Sequence, residues 1–176
     1  AGVVAPFALG EDTLELLLGL NYRAYLLCAR EASKIMIRDG IKGNIVSITS
    51  SRGTRAYPGD AVYGGLKAAI ERSTESMALD LAPYGIRVNC VAPGAIKVRE
   101  GNEVRSREFG KKIPLGRIGV PEDVGNAVSW IVSDAASYVT GITLRLDGGL
   151  ILPGMPEDPD LLPENGWGGR KSESAQ

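Results

Sequence analysis

Tyr63 and Lys67 stand four residues apart in a segment whose apolar residues recur at helical spacing, so a phenol and an ammonium leave one helix face together. A free phenol ionises near pH ~10, so tyrosine serves as an acid or base near neutrality only where its phenolate is stabilised, and an adjacent cation does this. The pair reads as a proton-transfer device. Two polar residues, Asn21 and Ser50, precede it, and two glycine-bearing turns, Pro93-Gly94 and Asp147-Gly148-Gly149, follow. The chain contains no histidine, which excludes a Ser-His-Asp triad, a Cys-His dyad and every histidine-ligated zinc or iron site. Acid-base chemistry is left to carboxylates, lysines, cysteines or a perturbed tyrosine, and no metal site is expected.

The elements that must position these residues follow from periodicity. Residues 11–38 are rich in good helix formers and stop at Asp39-Gly40, which predicts one long helix. Residues 44–49 are short and β-branched and lead into a polar loop at 50–60, as a strand does. Val62, Leu66, Ala69, Ile70, Met77 and Leu81 predict a second helix, closed at Pro83-Tyr84-Gly85. A strand is expected at 86–92, a helix at 124–133 after Pro121-Glu122-Asp123, and a strand at 141–146. This alternation is that of a parallel sheet with crossover helices, whose ligands sit outside the carboxyl ends of the strands. Ser50 and Pro93-Gly94 fall at such ends. Asp147-Gly148-Gly149 reads as a structural turn, and Arg52 and Arg55 as solvated.

With 176 residues, 44% of them hydrophobic, the chain has material for one globular core. Its 20 basic and 21 acidic groups nearly cancel, which argues against nucleic acid and anionic membranes as partners. Apolar runs end well short of the roughly 20 residues a bilayer span needs. Cys28 and Cys90 lie far apart in apolar segments and read as buried free thiols rather than a disulfide, which fits a cytoplasmic location. Residues 97–112 carry six basic and three acidic residues and suggest an exposed, mobile lid, positive enough to hint at an anionic substrate. The Pro-, Gly- and acid-rich tail, 151–176, is expected to be irregular; the four acidic residues of 153–169 could pack near a lid and narrow the pocket.

Together these features resemble the short-chain dehydrogenase/reductase family over about residues 1–150. The stretch NIVSITSSRGTRAYPGDAVYGGLKAA, with Ser50 thirteen residues before Tyr63, is similar to the family's catalytic serine strand and Tyr-x-x-x-Lys helix. IRVNCVAPG, IPLGRIGVPEDVGNAVSWIVSD and YVTGITLRLDGG resemble its later elements in the usual order, and Asn21 occupies the place of its helix asparagine. Spacing to Tyr63 favours Ser50 over the neighbouring Ser51. A Tyr-x-x-x-Lys pair by itself is a weak signal; the joint order of six features is a strong one.

The resemblance implies an α/β, Rossmann-like doubly wound parallel sheet and an oxidoreductase interconverting a secondary alcohol and a ketone by hydride transfer with NAD or NADP. Tyr63 would be general acid/base, Lys67 would stabilise its phenolate and hold the cofactor ribose, and Ser50 would donate to the substrate oxygen. Asn21 would hold a water linking Lys67 to solvent, and Pro93, Gly94 and Ile96 would frame the carboxamide. A homo-oligomer, dimer or tetramer, built through the helices carrying Asn21 and Tyr63, is also implied. The sequence departs from the family pattern at Val98, where a carboxamide-binding threonine is usual, and at Leu66, where a small residue is usual. The N-terminal nucleotide-binding half is expected to be absent from this chain, which leaves an unpaired sheet edge and keeps open a rival reading, a catalytically silent scaffold or partner subunit. An epimerase or dehydratase on a related fold would also use the Tyr-Lys pair, but usually lacks these Pro-Gly and Asp-Gly-Gly endings.

Overall fold

The structure, a computed structural model, describes residues 9–98 and 103–152, apart from the side chain of Arg105. The tail from residue 153 lies outside the described residues. Helix α1 (Glu11–Leu18) runs through a π-helical turn (Gly19–Arg23) into α2 (Ala24–Asp39). The single helix expected over 11–38 is thus interrupted: the Ala24 N–H reaches back to Gly19 O, one residue further than in an α-helix. Gly40, at φ 67°, ends α2 in the left-handed conformation, and Ile41 N–H closes the cap on Met36 O at 2.8 Å.

Strands β1 (Asn44–Ile48), β2 (Arg87–Pro93) and β3 (Thr143–Leu146) form a parallel sheet in the order β1-β2-β3. Ile45 lies opposite Val88, and Val91 opposite Leu144. The crossover from β1 to β2 is α3 (Ala61–Leu81), and the path to β3 includes α5 (Pro121–Val132). Central β2 is covered on both faces, which explains its nearly unbroken apolar run: Val88, Cys90, Val91 and Ala92 are at most 1% exposed. Gly64, Lys67, Ile70, Thr74 and Ala78 form the buried stripe of α3 at helical spacing. The Thr74 hydroxyl meets the Cys90 thiol at 3.0 Å within this core. Both cysteines are free; Cys28 is exposed rather than buried, because Ala29 is the residue of α2 that faces inward.

Two polar residues of β2 fasten its neighbours. The Arg87 guanidinium donates to the carbonyls of Ile131 at 2.8 Å, Val139 at 3.1 Å and Ser133 at 3.3 Å, where the end of α5 leaves acceptors open. Buried Asn89 donates to Val139 O and accepts from Ile142 N–H, both at 3.1 Å, and so sets the entry to β3.

By internal contacts the described residues divide into two compact units: those up to Gly94 with Glu122–Leu146, and those of 95–121 with 147–152. In the second, helix α4 (Glu103–Lys111) occupies much of the stretch expected to be a lid. A parallel bridge joins Ile96 to Gly119. The Asp147 carboxylate accepts from Gly149 N–H at 2.9 Å and Ile151 N–H at 3.1 Å, a structural turn as expected. Gly148 and Gly149 adopt φ 63° and 88°, and a Cβ at either would lie 2.9 Å from Ile113 or Pro114.

Arg87→Met keeps the aliphatic stem and deletes the guanidinium that holds three carbonyls. Chemical denaturation should show a loss of about 2–3 kcal/mol, given the usual strength of charge-assisted hydrogen bonds and the acceptors left behind; an unchanged midpoint would show these carbonyls to be satisfied by solvent.

Candidate active site

Helix α3 carries Tyr63 and Lys67 on successive turns of one face. Lys67 is only 6% exposed, unlike the solvated lysine that helical position usually implies, because it lies on the stripe that packs against the sheet. Its Nζ donates to the Tyr25 hydroxyl and to the Ile48 carbonyl, both at 3.3 Å, and lies 5.5 Å from the centre of the Tyr63 ring. Burial pushes the Lys67 ammonium below the ordinary lysine range, and Tyr63 and then Cys90 oppose that shift. The arrangement places a desolvated cation beside a half-buried phenol, the pairing that phenol-mediated proton transfer requires.

Ser50 follows the carboxyl end of β1 in an extended conformation, φ −164° and ψ 150°. Its Oγ accepts the Arg52 N–H at 3.3 Å and caps a 3-10 turn (Ser51–Gly53), which occupies an acceptor site of the hydroxyl and leaves its proton to be donated. Ser51 is buried, 3% exposed, whereas Ser50 is partly open. The loop after Ser50 lies tightly on α3 at Gly64, where a Cβ would come within 2.9 Å of Arg52 O and 3.0 Å of Asp60 Oδ2. Asp60, buried ahead of α3, accepts from the Arg52 guanidinium at 3.1 Å, and Arg52 also lies 4.9 Å over the Tyr57 ring. Arg52 is therefore built into the loop rather than simply solvated, while Arg55 sits 5.9 Å from the same ring.

Asn21 lies in the π-helical turn. Its amide donates to Leu17 O at 3.3 Å, so among the described residues its recorded hydrogen bond is within its own helix and not to Lys67. The turn is nevertheless anchored on α3, since the Tyr22 and Ser73 hydroxyls meet at 3.1 Å. Pro93 ends β2 at the carboxyl edge of the sheet, and Gly94 N–H bonds Leu146 O at 2.9 Å. Ile96 belongs to the second unit, where it bridges to Gly119. Leu66 is buried, 8% exposed, and Val98 is exposed, 72%.

Two residues were not singled out from the sequence. Tyr25 is one helical turn beyond Asn21, and Glu71 one turn beyond Lys67, so extending each helix face by four residues finds both. Burial raises the Glu71 carboxyl above the ordinary range, partly offset by the Thr49 hydroxyl, and its Oε1 is buried without a hydrogen-bond partner. Among the described residues no His/Cys/Asp/Glu group is arranged to hold a metal, and no helix is long and apolar enough to cross a membrane.

A parallel α/β sheet carrying a buried Tyr-Lys helix at its carboxyl edge defines a Rossmann-like class of protein, and the comparisons with known proteins give the family. The family model described as Enoyl-(Acyl carrier protein) reductase matches residues 7–151. The 3-oxoacyl-(acyl-carrier-protein) reductase FabG of Rickettsia felis is 39% identical over 145 residues, 81% of this chain and 60% of that protein. Glucose 1-dehydrogenase 2 of Bacillus subtilis is 36% identical over 151 residues, 84% of this chain and 58% of the relative. Among solved structures, acetoin dehydrogenase YohF from Salmonella typhimurium superimposes with TM-score 0.77 at 34% identity, covering 85% of this chain and 59% of that one. A 4-hydroxyisoleucine dehydrogenase complexed with NADH superimposes with TM-score 0.79 at 29% identity, covering 86% and 65%. The chain belongs to the short-chain dehydrogenase/reductase family. It spans about 60% of the length of the curated relatives it matches.

Glu71 gives a test of the site's electrostatics. Its folded pKa is raised above the unfolded value, so its favourable contribution is complete below the unfolded pKa and is lost as pH rises through the folded one. Glu71→Gln should therefore raise Tm at pH ~7 relative to the native protein, with the gain shrinking towards pH ~4, where both side chains are neutral. Thermal scans at the two pH values check this, and a gain that does not depend on pH would contradict it.

Proposed function

We propose that the protein containing this chain interconverts a secondary alcohol and a ketone by hydride transfer to or from NAD or NADP, with Tyr63 as general acid/base. The observation that carries the reading is the buried Lys67 ammonium beside the Tyr63 ring, with a serine hydroxyl presented at the end of the adjacent strand. The residues fit the nicotinamide-ribose end of such a cofactor. Lys67 has two of its three donors engaged by Tyr25 and Ile48, which leaves one for a ribose hydroxyl. Pro93 and Gly94 lie at the carboxyl edge of the sheet, the side on which ligands of such folds bind. When bound, the cofactor supplies the hydride or accepts it, which no side chain can do.

The chain's own residues do the rest. Ser50 donates its hydroxyl proton to the substrate oxygen, where negative charge develops during ketone reduction. Tyr63 delivers a proton to that oxygen, or removes it in the oxidative direction. Lys67 stabilises the resulting phenolate through its charge, an interaction strengthened by exclusion of water. Asn21 contributes through the π-helical turn and a water held near it. The substrate is a small-molecule alcohol or ketone, with neither nucleic acid nor membrane as partner.

We place the protein in the reducing cytoplasm, in keeping with two unpaired thiols, as a homo-oligomer, dimer or tetramer. Exposed Leu16, Leu20 and Leu27 on the helix that carries Asn21, and Leu79 on that of Tyr63, supply apolar surface for subunit contact.

The test is a titration of the purified protein with NADH and NADPH, followed by turnover on a panel of ketones. Tyr63→Phe should lower kcat by about a thousandfold while leaving cofactor Kd within about twofold, the range expected for loss of a general acid. Full turnover by Tyr63→Phe would remove tyrosine from the chemistry, and no saturable binding of either nucleotide would favour a silent scaffold.

A further inference from the structure

Lys67 is held in place by a residue outside the four polar positions that the sequence brought forward. The Tyr25 hydroxyl accepts from Lys67 Nζ at 3.3 Å and donates to the Ile48 carbonyl at 2.7 Å, while that carbonyl also accepts from Lys67 at 3.3 Å. Groups from α2, α3 and β1 thus close a triangle of hydrogen bonds. The Ile48 carbonyl shares a peptide plane with the Thr49 N–H, which bonds Val91 O across the sheet at 2.8 Å, so the carbonyl points to the opposite edge.

A lysine ammonium on a four-carbon stem has wide rotamer freedom, and two acceptors fixed to separate elements remove it. The ammonium also lies between two aromatic rings, 5.0 Å from the centre of Tyr25 and 5.5 Å from that of Tyr63. We propose that Tyr25 is a positioning residue: its hydroxyl, bonded at once to Lys67 and to the Ile48 carbonyl, fixes the ammonium beside Tyr63. The inference rests on the reading of Tyr63 and Lys67 as the acid-base pair.

Burial, and secondarily Cys90, raise the Tyr25 phenol above its ordinary range, so the hydroxyl stays a neutral acceptor while Lys67 carries its charge. The titratable groups around Lys67 are Tyr25 from α2, Tyr63 and, one turn on, Glu71 from α3, and Cys90 from β2. Deleting the Tyr25 hydroxyl removes an acceptor from the charged form of Lys67, and so favours the neutral amine. Tyr25 lines an open groove of about 390 Å³ between α2 and β1, and Tyr25→Phe keeps the ring while removing only the hydroxyl.

The experiment is an NMR titration of isotope-labelled lysine in the native protein and in Tyr25→Phe, with Lys67→Met assigning the signal. The Lys67 midpoint should fall by about half to one pH unit in Tyr25→Phe. In turnover assays kcat should fall about tenfold with KM held within about twofold, and the alkaline limb of the kcat profile should move to lower pH by the same amount. An unmoved midpoint and limb would overturn the proposal. The titration needs no turnover, so the two readings separate: a shifted Lys67 in a protein without activity sinks the enzyme reading alone, and normal turnover with Lys67 unmoved sinks the positioning role alone. Should Tyr25→Phe fail to fold, proton exchange at the Lys67 ammonium of the native protein decides. Exchange much slower than at exposed Lys34 supports the triangle, and exchange equally fast refutes it.

Discussion

A charged ammonium withdrawn from water is the constraint around which this site is organised. Lys67 is 6% exposed, and an ion at such a position is tolerated only where acceptors replace its hydration. Three elements must therefore meet within hydrogen-bond distance: α3 brings the ammonium, the last residue of β1 brings a carbonyl, and α2 brings a phenol. That requirement gives the π-helical turn a physical purpose. One extra residue in the turn rotates everything after it by roughly 100°, which offsets the inward face of α2 from that of α1. Tyr25 and Ala29 then belong to the face that looks onto the sheet.

The sheet supplies the rigidity on which such short distances depend. Its middle strand is buried on both faces, and the polar residues at its start do mechanical work: Arg87 gathers carbonyls from the end of α5 and the loop beyond it, and Asn89 pins the segment entering β3. Side chains at the carboxyl ends of β1 and β2 thus project from a fixed platform, where preorganised donors are most effective. The loop from Ser50 to Asp60 is pressed onto α3 at Gly64, where no side chain would fit beneath the Arg52 carbonyl. Ser50 and Tyr63 are in this way referred to one helix even though thirteen residues of chain separate them.

The position of Asn21 is a matter of backbone as much as of side chain. Its amide is spent on Leu17 O inside its own helix, while the adjoining Tyr22 hydroxyl ties the wide turn to Ser73 of α3.

Local patterning in the amino-acid sequence was enough to determine the order of the three strands and their crossover helices, the parallel alternation and the placement of Tyr63 and Lys67 on one face, because helical and strand periods are properties of short segments. Spacing likewise put Ser50 at a strand end and Asp147-Gly148-Gly149 in a turn, since both depend on contacts a few residues away. The interruption of the first helix was not legible, because an α turn and a π turn differ by one backbone hydrogen bond that no residue type dictates. Nor was helix α4 within the charged stretch, which has little apolar patterning to announce it. Tyr25, an ordinary aromatic on a helix in the sequence, acquires meaning only when α2 lies over the end of β1 and its hydroxyl meets Lys67, forty-two residues away. Only the tertiary structure decides such a pairing, because whether a buried cation keeps its proton depends on which acceptors surround it in space, and these come from segments distant along the chain.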